Sequence, residues 1–174
     1  ELREAIVQRM QRLYRWRIES DWIVFLPGVV PGLHLAARHL LAADEHALLP
    51  TPIYHHFKRA VELAPRAHTQ VPLALRGGRW VLDEERLAAS LRPHSRLLYL
   101  CNPQNPGGTI FTRAELERLA QLALRHGLIM VSDEIHADLL LDTGKPHVPI
   151  ASLAPEISRR AVTLASPNKT FNFP

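Results

Sequence analysis

Lysine is scarce in this chain: of 21 basic residues only Lys58, Lys145 and Lys169 are lysines, and arginine supplies the rest. The shortage matters because a primary amine becomes a nucleophile on losing its proton, whereas a guanidinium stays charged. Chemistry that needs a neutralisable amine therefore has three candidates. Cysteine is scarcer still. The lone Cys101 cannot close an intrachain disulfide, which suits a reducing compartment and makes the cytoplasm the expected location. No apolar run approaches the roughly 20 residues of a membrane-spanning helix, and Glu1-Leu2-Arg3-Glu4 opens on a helical pattern, not on a signal peptide. The formal charge is +4, but no basic run exceeds two residues and acids alternate with bases, which argues against nucleic acid as a partner. Repeats and low-complexity segments are also missing.

What remains is a chain of 174 residues, 47% hydrophobic, long enough for one domain with a full core. Apolar runs alternate with helical patterns along it. Residues 2–16 read as an amphipathic helix and 22–26 as a short apolar strand. Leu33, Ala36, Ala37, Leu40 and Leu41 follow the spacing of one helix face. Residues 47–49 suit a buried strand ending at Pro50-Thr51-Pro52, 54–63 a helix, and 69–73 a strand, with Gly77-Gly78 marking a turn. Further on, 96–100 is strand-like, Thr112 and Glu115 form a capping box, and Leu116, Leu119, Ala120, Ala123 and Leu124 make one apolar stripe. Gly127 closes that helix, and strands follow over 128–131 and 161–165. Strands apolar on both faces and alternating with helices predict an α/β fold with a mostly parallel sheet, in three layers.

Ligands of such sheets gather at the carboxyl ends of strands. Four clusters fall at expected strand ends: Pro27 to Gly32, Asn102 to Gly108, Asp133 to His136, and Ser166 to Lys169. Lys58 sits on a helix among polar neighbours and Lys145 in a Thr-Gly-Lys-Pro turn, so Lys169 is the amine placed for chemistry. Its proton would be lost more easily if the side chain were buried. The ten histidines show no metal-ligand spacing, since His55 and His56 are adjacent and diverge on a helix, so no metal site is expected.

The stretches PGVVPGL (27–33), TPIYHHF (51–57), CNPQNPGGTIFTRAELERLA (101–120), VSDEIHADL (131–139) and SPNKTFN (166–172) resemble the fold-type-I pyridoxal-phosphate enzymes, aminotransferase class I/II. More narrowly they resemble the MalY/PatB cystathionine β-lyase branch. The spacings also suit that family: 28 residues separate Asn105 from Asp133, and 36 separate Asp133 from Lys169. The resemblance implies that Lys169 holds pyridoxal 5'-phosphate as a Schiff base and moves the α-proton of the substrate. It implies Asp133 at the pyridinium nitrogen and Asn105 at the phenolic oxygen. Tyr54 would face the ring, and Val29, Val30 and Ser166 the phosphate. Asn168 departs from the pattern, which usually has serine before the lysine, although an amide can still donate. His136 stands where many aminotransferases have tyrosine and is shared with the lyase branch.

The function so implied is a C–S β-lyase acting on cystathionine, cysteine or related S-conjugates, with an aminotransferase as the alternative reaction. The same family implies a homodimer, an N-terminal segment and a C-terminal small domain. The chain starts without an initiator Met and stops five residues past Lys169, so residues 1–174 are expected to be a partial large domain. A truncated, non-catalytic remnant or a regulatory binding protein is the expectation from another class.

Overall fold

The structure is a computed structural model that describes residues 1–142 and 144–173; Thr143 of the expected turn and the final Pro174 lie outside it. Five strands form one parallel sheet: β1 (His46–Thr51), β2 (Ala67–Pro72), β5 (Ser95–Cys101), β6 (Ile129–Asp133) and β7 (Ala161–Leu164), in the order β2-β1-β5-β6-β7. A small antiparallel hairpin, β3 (Ala74–Arg76) and β4 (Arg79–Val81), stands apart from it. Its turn is Gly77-Gly78, both at positive φ, the backbone that a two-residue hairpin turn with right-handed twist demands.

Alternation along the strands builds the layers, because successive side chains of a strand point to opposite faces. Leu97, Tyr99 and Cys101 of β5 join Ala47 and Leu49 of β1 on one face, beneath α2 (Val29–His39) and α3 (His55–Leu63). Leu98 and Leu100 join Leu48 and Met130 on the other, against α5 (Arg113–Arg125). Each fully buried leucine contributes about 1.5–3 kcal/mol relative to exposure, so two such clusters hold helices to both faces. The three-layer α/β fold expected from the apolar pattern is the fold observed. Tyr99, on the central strand, satisfies its buried hydroxyl by donating to the Leu33 carbonyl at 2.7 Å, which pins α2 to the sheet. The capping box at Thr112 and Glu115 forms as expected, and the apolar stripe of α5 faces the core.

Three expectations need correction. Residues 22–26 are not a strand: α1 (Leu2–Tyr14) leads through a short 3-10 turn into irregular chain, with Val24 74% and Phe25 54% exposed. An apolar run without a neighbouring strand has nothing to pair with, and periodicity alone cannot supply one. The cluster from Pro27 to Gly32 therefore follows no strand, and α2 begins at Val29, not at Leu33. Third, β1 continues through Pro50 to Thr51. Pairing with β5 stops at Leu48, so Pro50 lies where β1 has β2 as its single neighbour and the missing N–H breaks no ladder on the other side.

Candidate active site

The sheet order contains a switch point. From β1 the chain steps outward to β2, then crosses back to lay β5 on the opposite flank of β1. In open α/β sheets such a point, at the carboxyl ends of the strands, is where the crevice for a ligand forms. Tyr54 leaves β1 as the residue that precedes α3, and Asn105 lies in the loop after β5. β6 ends on Asp133 beside Cys101 of β5 and Leu164 of β7. The main chains are laced together at that level: Asn102 N–H donates to the Asp133 carbonyl at 3.0 Å, and Glu134 N–H to the Leu164 carbonyl at 2.8 Å. Asp133 thus closes β6, while Asn105 and the segment from Ser166 to Lys169 follow the ends of the strands on either side of it.

Asp133 is buried, and its Oδ1 accepts the Ile135 N–H at 3.1 Å. Burial pushes its carboxyl up to about 6, with the nearby Glu134 charge adding to the effect and the Ile135 bond opposing it. Among the described residues no cation pairs with it. A carboxyl held this way favours ionisation once a positive charge is brought within a few ångströms. Cys101, behind it, is pushed up to about 12 by burial and by the Asp133 charge, so it is an inert packing group and not a nucleophile.

Lys169 lies in the single turn α7 (Asn168–Phe171) and is exposed, not buried as a desolvated amine would be. It is nevertheless distinguished from the other two. Lys58 pairs with Glu62 at 3.3 Å and Lys145 with Asp142 at 2.7 Å, whereas Lys169 has no carboxylate partner among the described residues. Its neighbour is instead His136, whose imidazole is held neutral to lower pH by burial and by the Lys169 charge. Just before the lysine, Ser166 Oγ accepts the Asn168 N–H at 3.3 Å, and the buried Asn168 Oδ1 has no partner among the described residues.

Val29 and Val30 are the first two residues of α2, and among the described residues no side chain caps that helix start. Their N–H groups are therefore free to meet an anion, helped by the helix dipole. Gly32 draws this end against β7: a Cβ there would lie 2.8 Å from Leu164 Cδ2, so a larger residue would oblige the Leu164 side chain or the helix to give way. Tyr54 sits at the other flank, with its ring 4.6 Å from His55 and 5.0 Å from His56. The two imidazoles are 4.3 Å apart and do not diverge, since His55 is only the first residue of α3 and not yet in regular helix. No hydrogen bond joins Tyr54 directly to the Asp133 and Lys169 side of the crevice among the described residues.

Sequence reasoning missed three supports of this arrangement. Glu134 is buried beside Asp133 and meets His147. Arg79 of the hairpin grips Glu115 with two bonds of 2.7 Å and the Ile110 carbonyl with a third, fixing the far end of the loop that carries Asn105. Gln104 bridges the loops after β1 and β5. None has a local signature, because each partner is distant in the chain or is a main-chain carbonyl.

No helix among the described residues is long and apolar enough to cross a membrane. Comparison with known proteins agrees with the geometry. The chain is 37% identical to cystathionine beta-lyase PatB of Bacillus subtilis over 98% of its own length and 44% of that protein. The crystal structure of OvoB superimposes with a TM-score of 0.95 at 44% identity, covering 99% of this chain and 45% of that one. Cystalysin from Treponema denticola, whose crystal structure contains a pyridoxal 5'-phosphate cofactor, superimposes with a TM-score of 0.92 at 28% identity, over 98% of this chain and 43% of that one. The chain thus spans less than half the length of these relatives. With a parallel sheet whose strand ends gather these residues, and a family model matching residues 1–174, the chain belongs to the aminotransferase class I and II family.

Proposed function

We propose that this chain is part of the large domain of a pyridoxal-phosphate-dependent C–S β-lyase, which removes a thiol from cystathionine, cysteine or a related S-conjugate. The observation that carries the reading is Asp133, a buried carboxyl at the end of β6 with no cation partner among the described residues. The residues fit the cofactor. Asp133 would face the ring nitrogen and keep it protonated. Val29 and Val30 N–H groups, at an uncapped helix start, would hold the phosphate with Ser166. Asn105 would donate to the phenolic oxygen and Tyr54 would cover one face of the ring. When bound, the cofactor supplies an aldehyde that captures amines and a ring that withdraws electrons from the substrate α-carbon.

This chain's own groups do the rest. Lys169 supplies the anchoring amine and moves the α-proton, and His136 beside it stays neutral and able to accept a hydrogen bond. Loss of the thiolate from Cβ leaves a product that hydrolyses to pyruvate and ammonia. Identity to PatB supports the lyase; the family's description supports transamination as the second reading. An amino-acid substrate, a homodimer and a cytoplasmic location belong to the same proposal for the full-length protein.

The test is an absorbance scan of the full-length protein with pyridoxal phosphate. A band displaced from that of the free cofactor is expected; one that persists in Lys169→Ala would refute the assignment of the lysine. Pyruvate release from cystathionine supports the lyase, and keto-acid exchange without pyruvate supports the transaminase.

A further inference from the structure

Gln104 is 5% exposed, yet its side chain makes bonds in two directions. Its Nε2 donates to the Pro52 carbonyl and, at 3.3 Å, to the Asn105 carbonyl, while its Oε1 accepts the Gly107 N–H at 2.5 Å. Its main chain is tied as well: N–H to the Thr109 carbonyl at 2.7 Å, and carbonyl to the Gly108 N–H at 2.8 Å. Every donor and acceptor of the residue is thus committed to loop main chain. Pro52 is two residues before Tyr54, and it follows β1; Asn105 follows β5. These are the two strands that diverge after Leu48, at the switch point of the sheet.

The geometry points to Gln104 as a positioning residue that spans the mouth of the crevice and sets the distance between the Tyr54 wall and the Asn105 wall. This rests on the proposed cofactor site. Without the amide, the two loops share no side-chain hydrogen bond among the described residues, and each is free to move with its own strand. The hairpin holds the loop from the outside: a Cβ on Gly107 would overlap Trp80 Cδ1, so Trp80 packs flush against the turn that Gln104 closes from within. An amide is the one uncharged side chain of this length that donates to a carbonyl and accepts from an N–H at once. A carboxylate in the same place would turn an oxygen towards the Pro52 and Asn105 carbonyls, with no proton between them.

The test is a double-mutant cycle read by the affinity for pyridoxal phosphate and by the position of its bound absorbance band, in the full-length protein. Asn105→Ala alone should shift the band and weaken binding roughly tenfold, as loss of one buried hydrogen bond does. Gln104→Met keeps length and apolar volume, and should weaken binding by a similar factor. In the Gln104→Met background the further effect of Asn105→Ala should largely vanish, because a displaced asparagine has little left to lose. Additive effects of the two substitutions would overturn the inference and leave the cofactor site standing. No effect of Asn105→Ala by itself would overturn the placement of Asn105, and this inference with it. Gln104→Glu guards against a variant that does not fold. Its neutral acid can donate to the Pro52 carbonyl again, so its band should return towards the wild-type position as pH falls from about 8 to about 5. A band that stays displaced over that range counts against the bridge.

Discussion

The carboxylate of Glu134 meets Nε2 of His147 at 2.8 Å with the two side chains only 4% and 1% exposed. A carboxylate accepts only, so Nε2 carries the hydrogen and donates it. The other oxygen of Glu134 accepts from Ser132 Oγ at 2.9 Å and from Ile150 N–H at 3.2 Å. One buried group therefore ties the end of β6 to the segment that returns towards β7. Tyr14, at the end of α1, sets its ring edge-on to His147 at 5.7 Å, and Arg9 pairs with Asp138 at 2.6 Å. These contacts hold α1, none of whose residues is buried, against the same segment.

His147→Ala is expected to lower the unfolding free energy by about 1.5–3 kcal/mol, the usual cost of removing a buried hydrogen bond to a carboxylate. Urea denaturation of the cofactor-free protein measures it. A loss below about 1 kcal/mol would show that water already reaches Glu134.

Asp133 makes stability pH-dependent in a direction opposite to most carboxyls. Its folded pKa is raised to about 6 from an ordinary 3.8, so the folded state keeps a proton that the unfolded state has lost. Stability of the cofactor-free protein should be greatest below the unfolded value. It should fall as pH rises from about 4 to about 6, by on the order of 3 kcal/mol at most. Asp133→Asn should flatten that part of the profile and raise the midpoint temperature at pH 7. An unchanged slope in the variant would assign the dependence to another group. Bound cofactor should reverse the preference, since a cation on the ring would favour the charged form.

Much of this architecture was legible in the sequence, for a physical reason. Strands β5 and β6 are covered on both faces, so they read as apolar runs, and their ends at Cys101 and Asp133 locate the crevice. The capping box of α5 is a local device and is visible locally. The failures share the opposite property. Residues 22–26 look like a strand because apolar content says nothing about whether a neighbour exists to pair with. His55 and His56 diverge only if both lie inside a helix, and the helix starts between Tyr54 and His55. Gln104 binds the Pro52 carbonyl, and Glu134 binds a histidine 13 residues on; neither partnership leaves a trace in residue spacing. Of the candidate residues, Asp133, Asn105 and Lys169 could be placed because each lies at or just beyond a strand end, whereas the exposure of Lys169 could not be read from its neighbours.

Arg79 and Glu115 should behave as one unit. The guanidinium lies flat against the carboxylate through two bonds of 2.7 Å, and Glu115 also accepts the Thr112 N–H at 2.7 Å. Single substitutions to alanine are each expected to cost about 2–3 kcal/mol, and the double substitution little more than either, giving a coupling of about 1–3 kcal/mol. Chemical denaturation of the four proteins measures the cycle. Simple addition of the two losses would mean that Arg79 acts through the Ile110 carbonyl alone.

Gly32 offers the sharpest separation between packing and binding. A methyl there meets Leu164 Cδ2 at 2.8 Å, Leu164 Cδ1 at 3.3 Å and Leu26 Cδ1 at 3.4 Å. Leu164 can turn its side chain, but it is buried among core residues, so the relief comes from a shift of α2 away from β7. Overpacking of this kind costs about 1–3 kcal/mol. The shift also carries Val29 and Val30, three and two residues earlier, away from Ser166, two residues beyond Leu164. Gly32→Ala should therefore weaken pyridoxal phosphate binding by roughly tenfold or more, since the N–H groups of the helix start would no longer converge with the serine hydroxyl on one phosphate. Titration of the full-length variant with the cofactor, followed by absorbance at a temperature well below its unfolding transition, separates the two effects. Inorganic phosphate should compete with the cofactor in the wild type and do so less effectively in the variant. Wild-type affinity in Gly32→Ala would remove the start of α2 from the phosphate site and leave the close approach of α2 and β7 as a matter of packing alone.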